Sequence, residues 1–379
     1  MQDENWEAVW DAEAAEESAD RERKAEPPPS IDREEFLAWR SPRKVTHNPT
    51  RLDNPLWHWL VRTRYSAYSA NEIFMGPSPF DAGPMWCFDR FGKSETMLPD
   101  GRVIHIGGEH EDYYDPDFLI YNDVTVIDPD GAIEIRGYAS EVFPPTDFHS
   151  ATLADNSIFI VGCLGYPDQR VAGQTPVFRF ALDTMAITPV ETSGEAPGWV
   201  QRHSATLSDD GRAIIVRGGE VWLGDKRTMR ENIDAWSLDI ASGRWTRLTV
   251  LDWQRWTMVR VDRKRNRLYD VRQELWHRDH GWPGLESYWK HDDKPDFEAL
   301  AVLYRIDETT PPPEQGSEHN VYRVTIDGVS VRFTEDSWSV QALVEGRISD
   351  ARLEELQRQT LTTLQRLDAS EWEIEPSES

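Results

Sequence analysis

The stretch DFHSATLADNSIFIVG (Asp147–Gly162) returns as QRHSATLSDDGRAIIVRGG (Gln201–Gly219), so that His149 and His203 stand 54 positions apart. Self-similarity at such a period marks a chain built from repeated small units. Working outward, Thr96, Thr152 and Thr206 each fall in a short segment that runs into a turn rich in Asp, Asn or Gly. Gly107, Gly162 and Gly218 each close the β-branched run that follows, in VIHIGG, SIFIVG and AIIVRGG. These runs read as strands joined by hairpin turns. NDVTVID, VFRFALD and IDAWSLD come next and end at Asp128, Asp183 and Asp239, which are 55 and 56 residues apart. AIEIRGY, AITPVE and RWTRLT supply an outer strand in each unit. A fourth copy is expected from about Arg255, with RLYDV as its second strand and VLYRID, ending at Asp307, as its third.

A lone four-stranded sheet leaves apolar faces bare, and packing such sheets against one another covers them. Ser and Ala in the repeated strand let neighbours approach closely. A residue that recurs in every unit is expected to be structural. His149 and His203 are therefore expected to hydrogen-bond between neighbouring sheets, and the four aspartates are expected to serve turns.

The repeat resembles the Kelch motif, on Arg202, His203, Gly218, Gly219, Trp236, Asp239 and Trp245 in the third unit. The first unit carries Arg90, Gly92, Ser94, Thr96, Gly107, Gly108 and Asp128. The second has Cys163 after Gly162 and no outer Trp, and the fourth has Val271 and Arg272 in place of the two glycines. The resemblance spans about residues 86 to 307. It implies an all-β, Kelch-like β-propeller with four recognisable four-stranded blades as the minimum. Such propellers more often close with five to seven blades. A further blade would be hidden in the N-terminal stretch or in residues 319 to 335, or the ring is incomplete and the helix from Asn54 covers an edge.

Around that core, residues 1–50 read as an acidic, largely disordered tail, with a helix from Asn5 to about Glu17. Residues 51–85 read as a helical segment packed on the propeller, with Asn54 as cap and Pro55 in the first turn. The propeller itself is placed at 86–310. In residues 319–379, alternation about Asp327-Gly328 predicts a hairpin. SWSVQALVEG predicts a further strand, and SDARLEELQRQTLTTLQRL an amphipathic helix with a leucine stripe.

The formal charge of −27, from 41 basic and 68 acidic residues, argues against a nucleic-acid partner and suits a basic one. Two cysteines make no disulfide framework, the first residues lack a secretory pattern, and no apolar run spans a membrane. A cytoplasmic protein is expected. Two loops are the candidate binding elements. One carries Glu109, His110, Glu111, Asp112, Tyr113, Tyr114 and Asp115, and its alternative reading is a hydrogen-bonded cap over the ring. The other carries Trp276, His277, Arg278, His280, Trp282, Tyr288 and Trp289, residue types that anchor interfaces, and its alternative reading is a self-packed cover. No phosphate loop, zinc pattern or nucleophile elbow is present, so no cofactor, metal or catalytic residue is assigned. The expected function is a non-enzymatic, Kelch-type protein-binding module with an acidic, Trp-rich surface. The alternative is an enzyme acting at the propeller axis on a small polar molecule or sugar, since the family also includes galactose oxidase and sugar mutarotases.

Overall fold

The computed structural model describes residues 3–110, 118–224, 229–280, 296–315 and 320–375. The chain divides into two compact units, Met1–Val250 and Leu251–Ser379. Strand outweighs helix, at 30% against 24%, in several antiparallel sheets. Among the described residues no sheet closes into a barrel.

The first unit is built on three successive sheets. The first runs in the order Thr50–Arg51, Ile133–Gly137, Val124–Ile127, Val103–Ile106, Ser94–Met97. The second runs Ile187–Pro189, Val177–Ala181, Ser157–Val161, Ser150–Ala154. The third runs Ser193–Gly194, Arg244–Arg247, Trp236–Asp239, Ala213–Arg217, Ser204–Leu207, with only its two-residue first strand parallel to its neighbour. Thr96, Thr152 and Thr206 thus sit at equivalent places, paired with Ile104, Phe159 and Ile215.

Strand alternation sends successive side chains to opposite faces and so makes two apolar layers. Ile104 and Ile106 of the first sheet pack with Ile158, Ile160, Phe180 and Ile187 of the second. The second sheet's other face, with Phe159, Val161 and Val177, packs on Ile214, Val216, Trp236, Leu238 and Trp245 of the third. Each side chain of this size stabilises by ~1.5–3 kcal/mol when fully buried.

Two hydrogen bonds repeat at each junction. His149 Nε2 lies 2.8 Å from Ser94 Oγ, and His203 Nε2 lies 2.8 Å from Ser150 Oγ. Phe148 N–H donates to Gly92 O at 2.8 Å, and Arg202 N–H donates to Phe148 O at 2.9 Å. Gly92, Phe148 and Arg202 all hold positive φ, at 62°, 48° and 52°. Phe148 and Arg202 accept this unfavourable conformation because the bond to the preceding sheet requires it. The glycine closing each second strand follows the same logic. A Cβ on Gly107 would stand 2.3 Å from Thr146 O, and one on Gly162 would stand 2.3 Å from Val200 O.

The series ends at the third sheet. The residue paired with the repeated serine is Ile106, then Val161, then the exposed Arg217. Ser204 is exposed and its hydroxyl turns back to Arg217 O at 3.2 Å, while a Cβ on Gly218 would meet nothing within 4 Å. A polar outer face is what a terminal repeat requires.

Helices cover the first sheet. Asn54 Oδ1 accepts Trp57 N–H at 2.8 Å and starts the Pro55–Thr63 helix, which ends at Arg64 in the left-handed region. Leu56, Trp57 and Leu60 pack with Phe36, Trp86, Ile133 and Ile135, and Trp57 stacks on Trp86 at 4.6 Å. The expected disordered tail is different. Residues Asp3–Lys24 and Arg33–Trp39 are helical, the second with a reciprocal Asp32–Glu35 capping box. The tail is tied at its C-terminal end, where Trp59 Nε1 donates to Glu26 O, Arg62 pairs with Glu26 at 2.8 Å and Tyr65 donates to Lys24 O. The Ala- and Glu-rich sequence then propagates the helix.

The second unit is one six-stranded antiparallel sheet in the order Glu314–Gln315, Val321–Ile326, Val329–Glu335, Ser339–Val344, Arg255–Arg260, Trp372–Glu375. The hairpin turns at Asp327 and Gly328, both with positive φ, as the sequence reading expects. The Asp350–Asp368 helix, capped by Ser349, sets Leu356, Leu364 and Leu367 into the unit's core. The fourth repeat is corrected here. Its first strand, Arg255–Arg260, pairs with Ser339–Val344 and Trp372–Glu375 rather than with a Gly-terminated partner. RLYDV opens the Leu268–His280 helix, and VLYRID begins on the last residue of a short helix, Phe297–Val302, and forms no strand. Leu268, Val271 and Leu275 recur at helical spacing, and all three pack into the core. The strands Val321–Ile326, Val329–Glu335, Ser339–Val344 and Trp372–Glu375 therefore share one sheet with Arg255–Arg260, and the unit boundary falls after Val250.

Candidate functional site

Glu109 and His110 form a two-residue strand paired with Leu119–Ile120, directly after the Gly107-Gly108 turn of the first sheet. Glu109 N–H donates to Phe91 O at 2.8 Å, which bridges this hairpin to the chain just before the Ser94–Met97 strand. Glu109 is buried. The other residues of that candidate loop, Glu111, Asp112, Tyr113, Tyr114 and Asp115, lie outside the described residues.

A buried carboxylate that sequence reasoning missed is Asp147, which has no solvent exposure. Its Oδ1 accepts Gly165 N–H at 2.7 Å, while its buried Oδ2 has no hydrogen-bond partner among the described residues. Burial pushes the Asp147 carboxyl above its ordinary pKa, against the pull of the Gly165 N–H, Glu109 and the Arg170 guanidinium. Arg170 spends its donors on Leu164 O at 2.9 Å and Gly165 O at 3.0 Å. The Tyr166 hydroxyl accepts Ile120 N–H at 2.9 Å and so ties the second sheet's loop to the hairpin that carries Glu109. The Cys163 thiol beside Asp147 is pushed up to about 12 by burial, which leaves it inert as a nucleophile. The available signal was departure from the repeat. At the position of Asp147 the other copies carry Phe91 and Gln201, and opposite Glu109 the second copy carries Leu164.

The repeated histidines behave as a repeated residue should. Burial lowers the His149 pKa to about 3, helped by the charge of His203, and lowers that of His203 to about 4. Both are neutral at pH 7 and serve the junctions. Nearby, Arg90 is clasped by Asp123 at 2.5 and 3.0 Å and lies over the Tyr121 ring, with Cys87 Sγ 3.8 Å from the Tyr121 hydroxyl. All of Arg90's nitrogens are occupied by Asp123 and the carbonyls of Cys87 and Gly107, so this cluster holds the fold. Among the described residues no three His, Cys, Asp or Glu converge as a metal-ligand set.

The second candidate element belongs to the second unit. Trp276, His277 and Arg278 are on the last turns of the Leu268–His280 helix, not in a loop. Trp276 is 44% exposed and packs edge-on against His277 at 5.5 Å. Arg278 lies over the Phe297 ring at 4.7 Å and pairs with Asp279 at 3.0 Å. His280 ends the helix, one turn from His277. Trp282, Tyr288 and Trp289 lie outside the described residues. The same helix is anchored from beneath by Arg272, which grips Glu335 through two bonds of 2.7 and 2.6 Å, while Tyr304 donates to the same carboxylate at 2.5 Å. No helix is long and apolar enough to cross a membrane among the described residues. Compared with known proteins, the chain matches no family model and has no significant match among curated sequences.

Proposed function

We propose that the protein is a Kelch-type repeat module of the β-propeller class that binds another protein, in the cytoplasm, and does no chemistry of its own. The observation that supports this reading most is the use made of the repeated residues. His149, His203, Ser94 and Ser150 are consumed in holding sheet to sheet. Exposed aromatic and charged groups are carried instead on a well-anchored element, the helix that presents Trp276. Rigid scaffold and presented anchors are the division of labour of a binding protein. A net charge of −27 favours a basic partner, with association that weakens as salt rises.

The test is affinity capture from native lysate at two salt concentrations, with the wild type, Trp276→Ala and Arg278→Ala. A stoichiometric partner should be released by salt, and each variant should weaken capture by about tenfold or more, as truncating an interface anchor does. Capture at full affinity by both variants would overturn the proposed surface.

A further inference from the structure

We propose that the outward face of the third sheet receives a histidine-bearing segment of a partner polypeptide, held by the same three bonds that join this chain's own sheets. At the first junction Gly92 O accepts Phe148 N–H at 2.8 Å, Ser94 Oγ meets His149 Nε2 at 2.8 Å, and Gly108 N–H donates to Thr146 O at 2.8 Å. At the second, Phe148 O accepts Arg202 N–H at 2.9 Å, Ser150 Oγ meets His203 Nε2 at 2.8 Å, and Cys163 N–H donates to Val200 O at 3.0 Å. The third sheet carries the same receiving groups, Arg202 O, Ser204 Oγ and Gly219 N–H. Among the described residues Arg202 O and Gly219 N–H have no hydrogen-bond partner, and the Ser204 side chain is exposed.

The two filled junctions define the occupant. In each, one tetrapeptide supplies a carbonyl from its first residue, an N–H from its third and an imidazole from its fourth: Thr146, Phe148 and His149, or Val200, Arg202 and His203. The third residue holds positive φ, 48° in Phe148 and 52° in Arg202. The partner segment is therefore a turn that leads into a strand, with Gly or Asn well suited to the third place and His following it. Its carbonyl has to pass over Gly218. A Cβ on Gly107 or Gly162 would meet the docked carbonyl at 2.3 Å, whereas one on Gly218 meets nothing within 4 Å. The clearance that docking needs is present at Gly218 and stands open.

The face around these groups has a definite character. Ile214 and Val216 point into the layer shared with the second sheet, so alternation turns Ile215 and Arg217 outward beside Ser204 and Thr206. Water can wet this face while it is unoccupied. Its exposed Arg202 and Arg217 favour a segment that also carries acid, as Asp147 does just before Phe148 and His149. None of these residues belongs to the helix that presents Trp276, so this site and the surface proposed there can fail separately.

The probe is a fluorescein-labelled peptide of residues 146–161, TDFHSATLADNSIFIV, which carries the second sheet's docking stretch and first hairpin. Its anisotropy is followed against the full chain as wild type, Gly218→Ala and Ser204→Ala. The wild type should bind it saturably. Gly218→Ala meets open space in the free protein but places a methyl where the docked carbonyl lies, and should weaken binding by more than about tenfold. Ser204→Ala and a His149→Ala peptide should each weaken it by about fivefold, the worth of one hydrogen bond, and together by no more than either alone. The peptide change leaves the protein intact, so it decides the matter even should a protein variant fold poorly. Absence of saturable binding to the wild type, unchanged affinity of Gly218→Ala, or unchanged affinity of the His149→Ala peptide would each overturn the proposal.

Discussion

The repeated serine provides three versions of one substitution in one chain, with different expected costs. Ser94→Ala and Ser150→Ala each remove the sole side-chain partner of a buried imidazole. His149 and His203 are each 8% exposed, and the Nδ1 of each has no protein partner, so the serine bond at Nε2 is the whole of the ring's hydrogen bonding. Leaving a buried polar group unsatisfied costs about 1–3 kcal/mol. Ser204→Ala removes only a 3.2 Å bond from an exposed hydroxyl to its own sheet, and such surface changes fall within about 0.5 kcal/mol. The assay is urea denaturation of the full chain at pH 7, followed by tryptophan fluorescence. Transitions of the two units are separated by also following a second-unit variant, Glu335→Gln. The glycines supply the matching series. Gly107→Ala and Gly162→Ala drive a methyl to 2.3 Å from a carbonyl of the next sheet, whereas Gly218→Ala meets open space and bears only left-handed strain, about 1–2 kcal/mol. The first two should cost well beyond that. Equal costs for all three serines, or for all three glycines, would refute the junction scheme.

Three further outcomes follow from the same structure. With folded pKa values of about 3 and 4, against about 6.5 unfolded, His149 and His203 hold stability that is complete above pH 6.5 and lost as pH falls through 4. His149→Gln should therefore reduce the drop in urea midpoint between pH 7 and pH 4.5. Arg272→Met leaves Glu335 buried without its cation and should destabilise the second unit by about 3–5 kcal/mol, while Arg272→Met with Glu335→Leu should recover much of that in calorimetry. Gly328→Val should cost more than about 1 kcal/mol in the same assay, because the Asp327-Gly328 turn needs positive φ and a β-branched residue resists it.

How far the sequence carries can be followed residue by residue. The three-sheet row is readable because its junctions reuse one bond, and the residues that make it, His149 with Ser94 and His203 with Ser150, must recur at the repeat length. The Asp327-Gly328 hairpin and the Ser349-capped helix are readable because their signals are local. The fourth copy misleads because Arg255–Arg260 is a strand in its expected place, while the next segment obeys its own period. Leu268, Val271 and Leu275 make a helix face, and the strand finds partners 80 or more residues away. Glu109 is buried on a two-residue strand whose partner, Leu119–Ile120, is tied to the second sheet's loop through Ile120 N–H and the Tyr166 hydroxyl. No spacing in the sequence announces that contact.

The bond from each histidine to the serine of the preceding sheet, and not to its own neighbour in sequence, is the point from which the rest follows. A double-mutant cycle measures it. The pair His203→Ala with Ser150→Ala should show a coupling of about 1 kcal/mol, the net worth of one such bond. The pair His203→Ala with Ser204→Ala should show no comparable coupling, because the Ser204 hydroxyl bonds Arg217 O and not the imidazole. Coupling to Ser204, with none to Ser150, would contradict the packing of the three sheets.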